Sequence, residues 1–178
     1  MIAVRPEMRL GIISDIHDNV WKLESALAIL RERADVLLCC GDLCSPFVIH
    51  QLGRGFAGPI HVVFGNNDAD LFRITRNAAA HPHMQLHGEL FRGLLDGKRV
   101  AMNHYPEIAR GLAQSGEYDI VLYGHNHTHR VETVGAALLV NPGPVMGAAI
   151  GADGSWSDVA SSLVIVDTDT LDVATVHA

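Results

Sequence analysis

Three stretches, Leu10-Gly-Ile-Ile-Ser-Asp-Ile-His17, Val36-Leu-Leu-Cys-Cys-Gly-Asp42 and Ile60-His-Val-Val-Phe-Gly-Asn-Asn-Asp68, share one pattern: a short apolar run, a small residue, then polar side chains. Apolar runs of this length, bounded by polar or turn-forming residues, read as buried strands over Leu10 to Ser14, Val36 to Cys40 and Ile60 to Phe64. Between the first two, Val20, Leu23, Leu27 and Leu30 recur at helical spacing, so a helix is predicted from Val20 to Arg33 with Asp18 or Asn19 as its N-cap. A short helix starting near Pro46 and covering Phe47 to Leu52 precedes the Gly58-Pro59 break. This βαβαβ rhythm implies a parallel sheet with right-handed crossovers, and ligands of such sheets lie beyond the carboxyl ends of the strands.

The chain continues with a predicted helix from Ala69 to Ala79. Asp96-Gly97 then marks a hairpin between Leu90 to Leu95 and Arg99 to Asn103, which turns the topology partly antiparallel. A helix over Pro106 to Gln114, a strand over Ile120 to Tyr123 and strands near Leu163 to Val166 and Leu171 to Val176 complete the reading. Neither repeat nor linker divides residues 1–178, so one domain is expected. Hydrophobic residues at 48% and charged residues at 19% exclude a disordered or coiled-coil chain. The stretch from Met1 to Arg9 lacks the apolar core of a secretory signal, and no run is long enough to span a bilayer. Cys39, Cys40 and Cys44 are odd in number and lack a Cys-x-x-Cys spacing, which fits a reduced, cytosolic protein; Cys39 and Cys40 read as small core residues, and Cys44, two residues past Asp42, reads first as packing and second as an edge of the pocket. A net charge of -7 opposes binding of long nucleic acid, because phosphate contacts need clustered Lys and Arg.

The polar clusters carry the chemistry. Asp15-Ile-His17, Gly41-Asp42, Gly65-Asn66-Asn67-Asp68 and Gly124-His125-Asn126-His127 each follow a strand, and His104 follows the strand ending at Asn103. On extended backbone, residues two apart face the same way, so Asp15 with His17 and His125 with His127 are expected to form two pincers. The glycines before Asp42, Asn66 and His125 permit tight turns and close backbone approach. The donors are oxygen and imidazole nitrogen without thiolate, which suits manganese, iron, zinc, nickel or cobalt. Charge balance fits two divalent ions: against the Asp15 and Asp42 carboxylates they leave a surplus of positive charge for an anionic substrate, whereas one ion leaves none. His50, His61, His81, His83, His87 and His177 lack motif context and read as surface or packing residues. His129 reads as rim, and Arg73 and Arg76 as a solvated helix face.

Taken together, these motifs resemble the calcineurin-like metallophosphoesterases, specifically the small bacterial and archaeal phosphodiesterase branch. The resemblance runs from Asp15-x-His17 through Gly41-Asp42, Gly65-Asn66-x-Asp68 and His104 to Gly124-His125-x-His127, in the family's order. It implies a four-layer αββα sandwich of two mixed β-sheets flanked by helices. It further implies that Asp15, His17 and His127 hold one metal, that Asn66, His104 and His125 hold the other, and that Asp42 bridges them. The implied reaction is attack of a hydroxide, held between two divalent ions with manganese the first candidate, on a small phosphate ester, with nucleotides and cyclic nucleotides among the substrates to consider. Asp42, Asn66, His104 and Asp68 are the expected catalytic set, Asp68 acting through a hydrogen bond to a ligand or to His125. Larger family members carry a histidine where this chain has Asn67, which cannot donate a proton at neutral pH, so good leaving groups are favoured. Asp18, Tyr105 and Asn141-Pro-Gly-Pro144 also depart from the common pattern without removing a ligand. Two rival readings are a non-catalytic interaction scaffold on the same fold, like the retromer-type relatives, and another dinuclear hydrolase. The complete ligand set speaks against the scaffold, and the missing His-x-His-x-Asp-His cluster speaks against a metallo-β-lactamase-like enzyme. No membrane partner is expected, and self-association is left open.

Overall fold

A computed structural model describes residues 8–151 and 153–178; most of the N-terminal stretch read above for a secretory signal lies outside them. Strands β1 (Arg9–Ile13), β2 (Val36–Cys39), β3 (Ile60–Val62) and β4 (Met84–Leu86) run parallel and alternate with helices α1 (Val20–Arg33), α2 (Pro46–Gly55) and α3 (Leu71–Ala78). The second sheet takes β5 (Leu90–Leu95), β6 (Lys98–Asn103), β7 (Ile120–Leu122), β8 (Arg130–Val134) and β9 (Ala137–Asn141), with α4 (Pro106–Gln114) between β6 and β7. After a small hairpin of β10 (Ala148–Ile150) and β11 (Trp156–Asp158), the chain returns to the first sheet as β12 (Ser162–Asp167) and β13 (Val173–His177). The strand orders are β13-β12-β1-β2-β3-β4 and β5-β6-β7-β9-β8, each mixing parallel and antiparallel pairs.

The two-residue period of the strands assigns every layer. In β1 and β2, Leu10, Ile12, Val36 and Leu38 face the other sheet and pack on Val100, Met102, Ile120 and Leu122. Their neighbours Ile13, Leu37 and Cys39 point the opposite way, onto Leu23, Leu27 and Leu30 of α1 and Ile49 and Leu52 of α2. On the far side, Ala109 and Ala113 of α4 cover Ala101, Val121 and Leu139. The result is the expected αββα sandwich. Strands buried on both faces explain why the first two runs are continuously apolar instead of alternating. Truncating a central side chain such as Leu38, fully buried between the sheets, costs about 2–5 kcal/mol.

Boundaries moved where backbone bonds left the ladder. The third strand stops at Val62, short of the expected Phe64, because the Phe64 N–H turns to the Gly88 carbonyl at 2.7 Å. The helix expected from Ala69 starts at Leu71, since Asp70 adopts a left-handed conformation and its side chain caps the Arg73 N–H at 3.2 Å. For α1, Asn19 is the cap, accepting from the Lys22 N–H at 3.2 Å. Among the described residues no helix is long and apolar enough to cross a membrane.

Candidate metal centre

Parallel strands β1, β2 and β3 of one sheet and β6 and β7 of the other deliver their carboxyl ends to one edge. The seven candidate ligands lie in the loops just past those ends. Five of them leave extended backbone altogether: Asp15, His17, Asp42, His125 and His127 have φ of 53°, 43°, 56°, 75° and 52°. A left-handed conformation at a non-glycine residue costs of order 1–3 kcal/mol and persists only where neighbours fix it. Here the first two loops brace each other, as the Asp42 carbonyl accepts from the Ile16 and His17 N–H groups at 2.9 and 3.1 Å.

Strand alternation therefore does not set the pincers. Asp15 and His17 still face one point, but His125 and His127 part company: His127 turns to His17 and Asp15, and His125 turns to Asn66.

Two donor groups result. In the first, His17 Nε2 lies 3.1 Å from His127 Nε2, and Asp15 Oδ1 lies 3.5 Å from His127 Nε2 and 3.9 Å from His17 Nε2. In the second, Asn66 Oδ1 lies 3.2 Å from His104 Nε2 and 2.9 Å from His125 Nδ1. Asp42 Oδ2 sits between them, 3.4 Å from His17 Nε2 and 3.3 Å from His104 Nε2. Ligand bonds of about 2.0–2.2 Å place adjacent donors roughly 3.0–3.5 Å apart, so the spacing suits divalent transition metals.

The tautomers agree with this use. His104 Nδ1 and His127 Nδ1 lie 2.8 and 2.9 Å from the carbonyl oxygens of Cys40 and Ala148. A carbonyl can only accept, so each Nδ1 carries a proton, and it is Nε2 that offers a lone pair to an ion whenever the ring is neutral.

Charge points the same way. Asp15 and Asp42 are buried, and among the described residues neither pairs with a Lys or Arg. Burial works against ionising Asp42, yet hydrogen bonds from His104 and Asn67 hold its carboxyl well below the usual range. Burial also opposes charge on His104, but the adjoining Asp42 outweighs it and raises the imidazole pKa; at His127 the bond to Asp15 does the same. His17 goes the other way, lowered by burial despite both carboxylates. Buried carboxylates with histidines as their only side-chain cations form a ready cavity for positive ions.

Glycine makes the approach possible at two places. A Cβ at Gly65 would run into Asp42 Oδ1, and one at Gly124 would strike Ser14 Oγ and lie 2.8 Å from Asp15 Oδ2.

The family model of the calcineurin-like phosphoesterase superfamily domain matches residues 8–170. The chain belongs to the calcineurin-like phosphoesterase superfamily. Among curated proteins, the phosphodiesterase MJ0936 of Methanocaldococcus jannaschii is 28% identical over 147 residues, covering 81% of this chain and 88% of its own. Among solved structures, an archaeal phosphodiesterase superposes with a TM-score of 0.84 at 24% identity, covering 96% of this chain and all of its own. Vps29 of Entamoeba histolytica shares the fold at a TM-score of 0.64 and 20% identity, covering 96% of this chain and 99% of its own. Membership and the donor set together make this superfamily member a metal-dependent phosphoesterase. With all seven donor side chains present, the scaffold reading is not favoured.

Around the donors, the superfamily chain places the other expected residues as follows. Asp68 does not reach His125. Its Oδ1 accepts from the N–H groups of Leu43 and Cys44 at 2.7 and 2.9 Å, and its Oδ2 from those of Asp42 and Gly65 at 3.0 and 2.7 Å. With its oxygens turned to backbone donors, the Asp42 N–H among them, it is a positioning residue that locks the Asp42 loop to the Gly65 turn; of the two expected hydrogen bonds it makes the first, to a candidate ligand, and not the one to His125. Asn67 has a role the sequence did not reveal: its backbone and side-chain amides donate to the two oxygens of Asp42 at 2.8 and 2.9 Å. Buried Asn141 likewise holds the last ligand turn, donating to the Gly124 carbonyl and Asn126 Oδ1 at 3.0 and 2.8 Å. Tyr105 lies edge-on, 5.3 Å from the rings of both His104 and His125. Cys44 touches His17 Nδ1 at 3.5 Å, while Cys39 and Cys40 are core.

His129 points away to Thr175 at 2.9 Å, and Arg73 pairs with Asp70 at 3.2 Å. The cleft over the donors measures about 200 Å³ and includes Asn67, Asn126 and Ile150, but no Lys or Arg among the described residues. A larger groove of about 550 Å³, lined by Phe47, His50 and Arg54 among others, contains none of the ligand set. Cavity size is thus a poor guide here, and convergent donors decide the site.

Proposed function

We propose that residues 1–178 form one cytoplasmic metallophosphoesterase domain that hydrolyses small phosphodiesters at a dinuclear centre. Asp15, His17 and His127 would hold one ion, Asn66, His104 and His125 the other, and Asp42 both. The observation that carries this reading is the position of Asp42 Oδ2, nearly equidistant from His17 Nε2 at 3.4 Å and His104 Nε2 at 3.3 Å. Manganese is the first candidate, with iron, zinc, nickel and cobalt suited to the same donors. Bound divalent ions supply Lewis acidity to the phosphoryl oxygens and make water acidic enough to attack at neutral pH.

The chain's own residues set the rest. Asp68 and Asn67 fix Asp42 so that its oxygens need not reorganise, and the carbonyls of Cys40 and Ala148 fix His104 and His127. A diester carries one negative charge where a monoester carries up to two, and a cleft without Lys or Arg favours the lower charge. Asn67 offers no acidic proton to a departing oxygen, so leaving groups that depart as stable anions react fastest. Aryl diesters should outpace simple alkyl diesters; equal rates would remove this part of the reading.

The test strips the protein of metal, adds back each divalent ion, and assays aryl monoesters, aryl diesters and cyclic nucleotides. Ion-dependent turnover, highest on diesters and lost in Asp42→Asn, is the expected result. A metal-replete protein that turns over none of the panel would overturn it.

A further inference from the structure

The β10–β11 hairpin belongs to neither main sheet, yet it is fastened to the metal centre. The Ala148 carbonyl accepts from His127 Nδ1 at 2.9 Å, and the Met146 N–H just before it donates to the Asp15 carbonyl at 3.0 Å. Its two strands register Ala148 with Asp158, Ala149 with Ser157 and Ile150 with Trp156. The far end is closed by the Gly151 N–H donating to the Ser155 carbonyl at 2.8 Å.

Ile150 lines the cleft beside His127 and His17 and is the only aliphatic residue to do so among the described residues. It is nevertheless 47% exposed, and Trp156 is 68% exposed. Residues directly opposite in an antiparallel pair project from the same face, so the indole stands beside Ile150, adjacent to the cleft although not among its lining residues. Leaving such a pair in water forgoes the burial that side chains of this kind normally gain. A bound group that covers both recovers it. The polar cleft supplies no cation for further negative charge, so that group is apolar and flat enough to lie on an indole.

Resting on the phosphodiesterase reading, we propose that this hairpin is a specificity arm. Ile150 and Trp156 receive an aryl or similarly flat apolar substituent of the diester whose phosphate sits at the metal centre. Both residues are specificity determinants for the ester substituent and leave the metal ligands untouched.

Tryptophan fluorescence tests the arm without turnover. Trp21 and Trp156 are the chain's two tryptophans, and Trp21 stands on α1, outside the cleft lining. In Trp21→Phe protein loaded with metal, diphenyl phosphate should change the Trp156 emission saturably, and dimethyl phosphate should need at least about tenfold higher concentration. Ile150→Ser should weaken diphenyl phosphate about fivefold or more and close most of the gap to dimethyl phosphate. Equal affinity for the two diesters, no emission change, or a gap that survives both Ile150→Ser and Trp156→Ala in a competition assay would overturn the arm. Kinetics separate it from the underlying function: bis(p-nitrophenyl) phosphate and methyl p-nitrophenyl phosphate share a leaving group and differ in the retained one. Metal-dependent hydrolysis of both with equal affinity removes only the arm, whereas no hydrolysis of either removes the phosphodiesterase reading.

Discussion

Two regions of the molecule bring imidazole rings to the same separation, and only one of them is built to hold metal. At the centre, His17 Nε2 and His127 Nε2 lie 3.1 Å apart; at the other, His61 Nδ1 on β3 and His87 Nε2 just past β4 lie 3.0 Å apart. The surroundings differ. The first pair faces the buried carboxylates of Asp15 and Asp42, while His61 and His87 both lie 4.8 Å from the Phe91 ring, with no carboxylate paired to either among the described residues. The electrostatic outcome divides only in part: His127 and its neighbour His104 are raised by their carboxylate partners, whereas His17, like His61 and His87, is lowered chiefly by burial. Histidine spacing alone thus does not make a metal site. Anionic oxygen does, because it offsets the charge of the ion where imidazole cannot.

The sharpest way to break this contrast is to remove the oxygen. Asp42→Asn should lower diester turnover by roughly 10³ or more and reduce bound metal, since the amide keeps the shape but loses the charge that both donor groups share. His61→Gln with His87→Gln should leave metal stoichiometry and turnover at the level of the parent. Metal analysis and steady-state kinetics on the two proteins decide the matter; equal metal loss in both would erase the distinction.

A smaller effect is expected one layer out. In Asp68→Asn one of the two oxygens becomes an NH₂ group, which would face N–H donors from either Leu43 and Cys44 or Asp42 and Gly65. The Asp42 loop should loosen, and metal affinity or turnover should fall about 10–100-fold while the fold persists. A titration of metal into the stripped variant, alongside circular dichroism, measures both. Unchanged affinity and turnover would mean that Asp42 holds its place without this brace.

How much of this could be read from sequence follows the range of the forces involved. The existence of the central strands and α1 was legible, though not where each strand stops, because apolar runs and helical spacing record burial directly, and the ordered motifs brought all seven candidate donors to one expected site. The left-handed turns were not: five candidate ligand positions have positive φ, a conformation set by contacts between loops that no local pattern encodes. Asn67 was read as the loss of a proton donor, but its amide grips Asp42 from 25 residues away in sequence. The three-residue strands β4, β10 and β11 are too short to carry a period, so Ile150 went unseen as a cleft residue.

The finest test of the comparison is acid stability of the metal-free protein. In the fold, the pKa values of His61 and His87 lie below the ordinary histidine value of about 6.5, so the unfolded chain binds protons that the folded pair resists. Their contribution to stability is therefore complete above that ordinary value and is lost as pH falls from it toward the folded values. Carboxylate-backed His104 and His127 have raised values and act in the opposite sense, favouring the folded state once charged. Replacing His61 and His87 by Gln removes only the first contribution and keeps a hydrogen-bonding side chain at each position. Between about pH 7 and pH 5 the melting temperature of the parent should fall further than that of the double variant. A steeper acid slope in the variant would mean that the pair takes up protons more readily folded than unfolded, the reverse of what burial against Phe91 dictates.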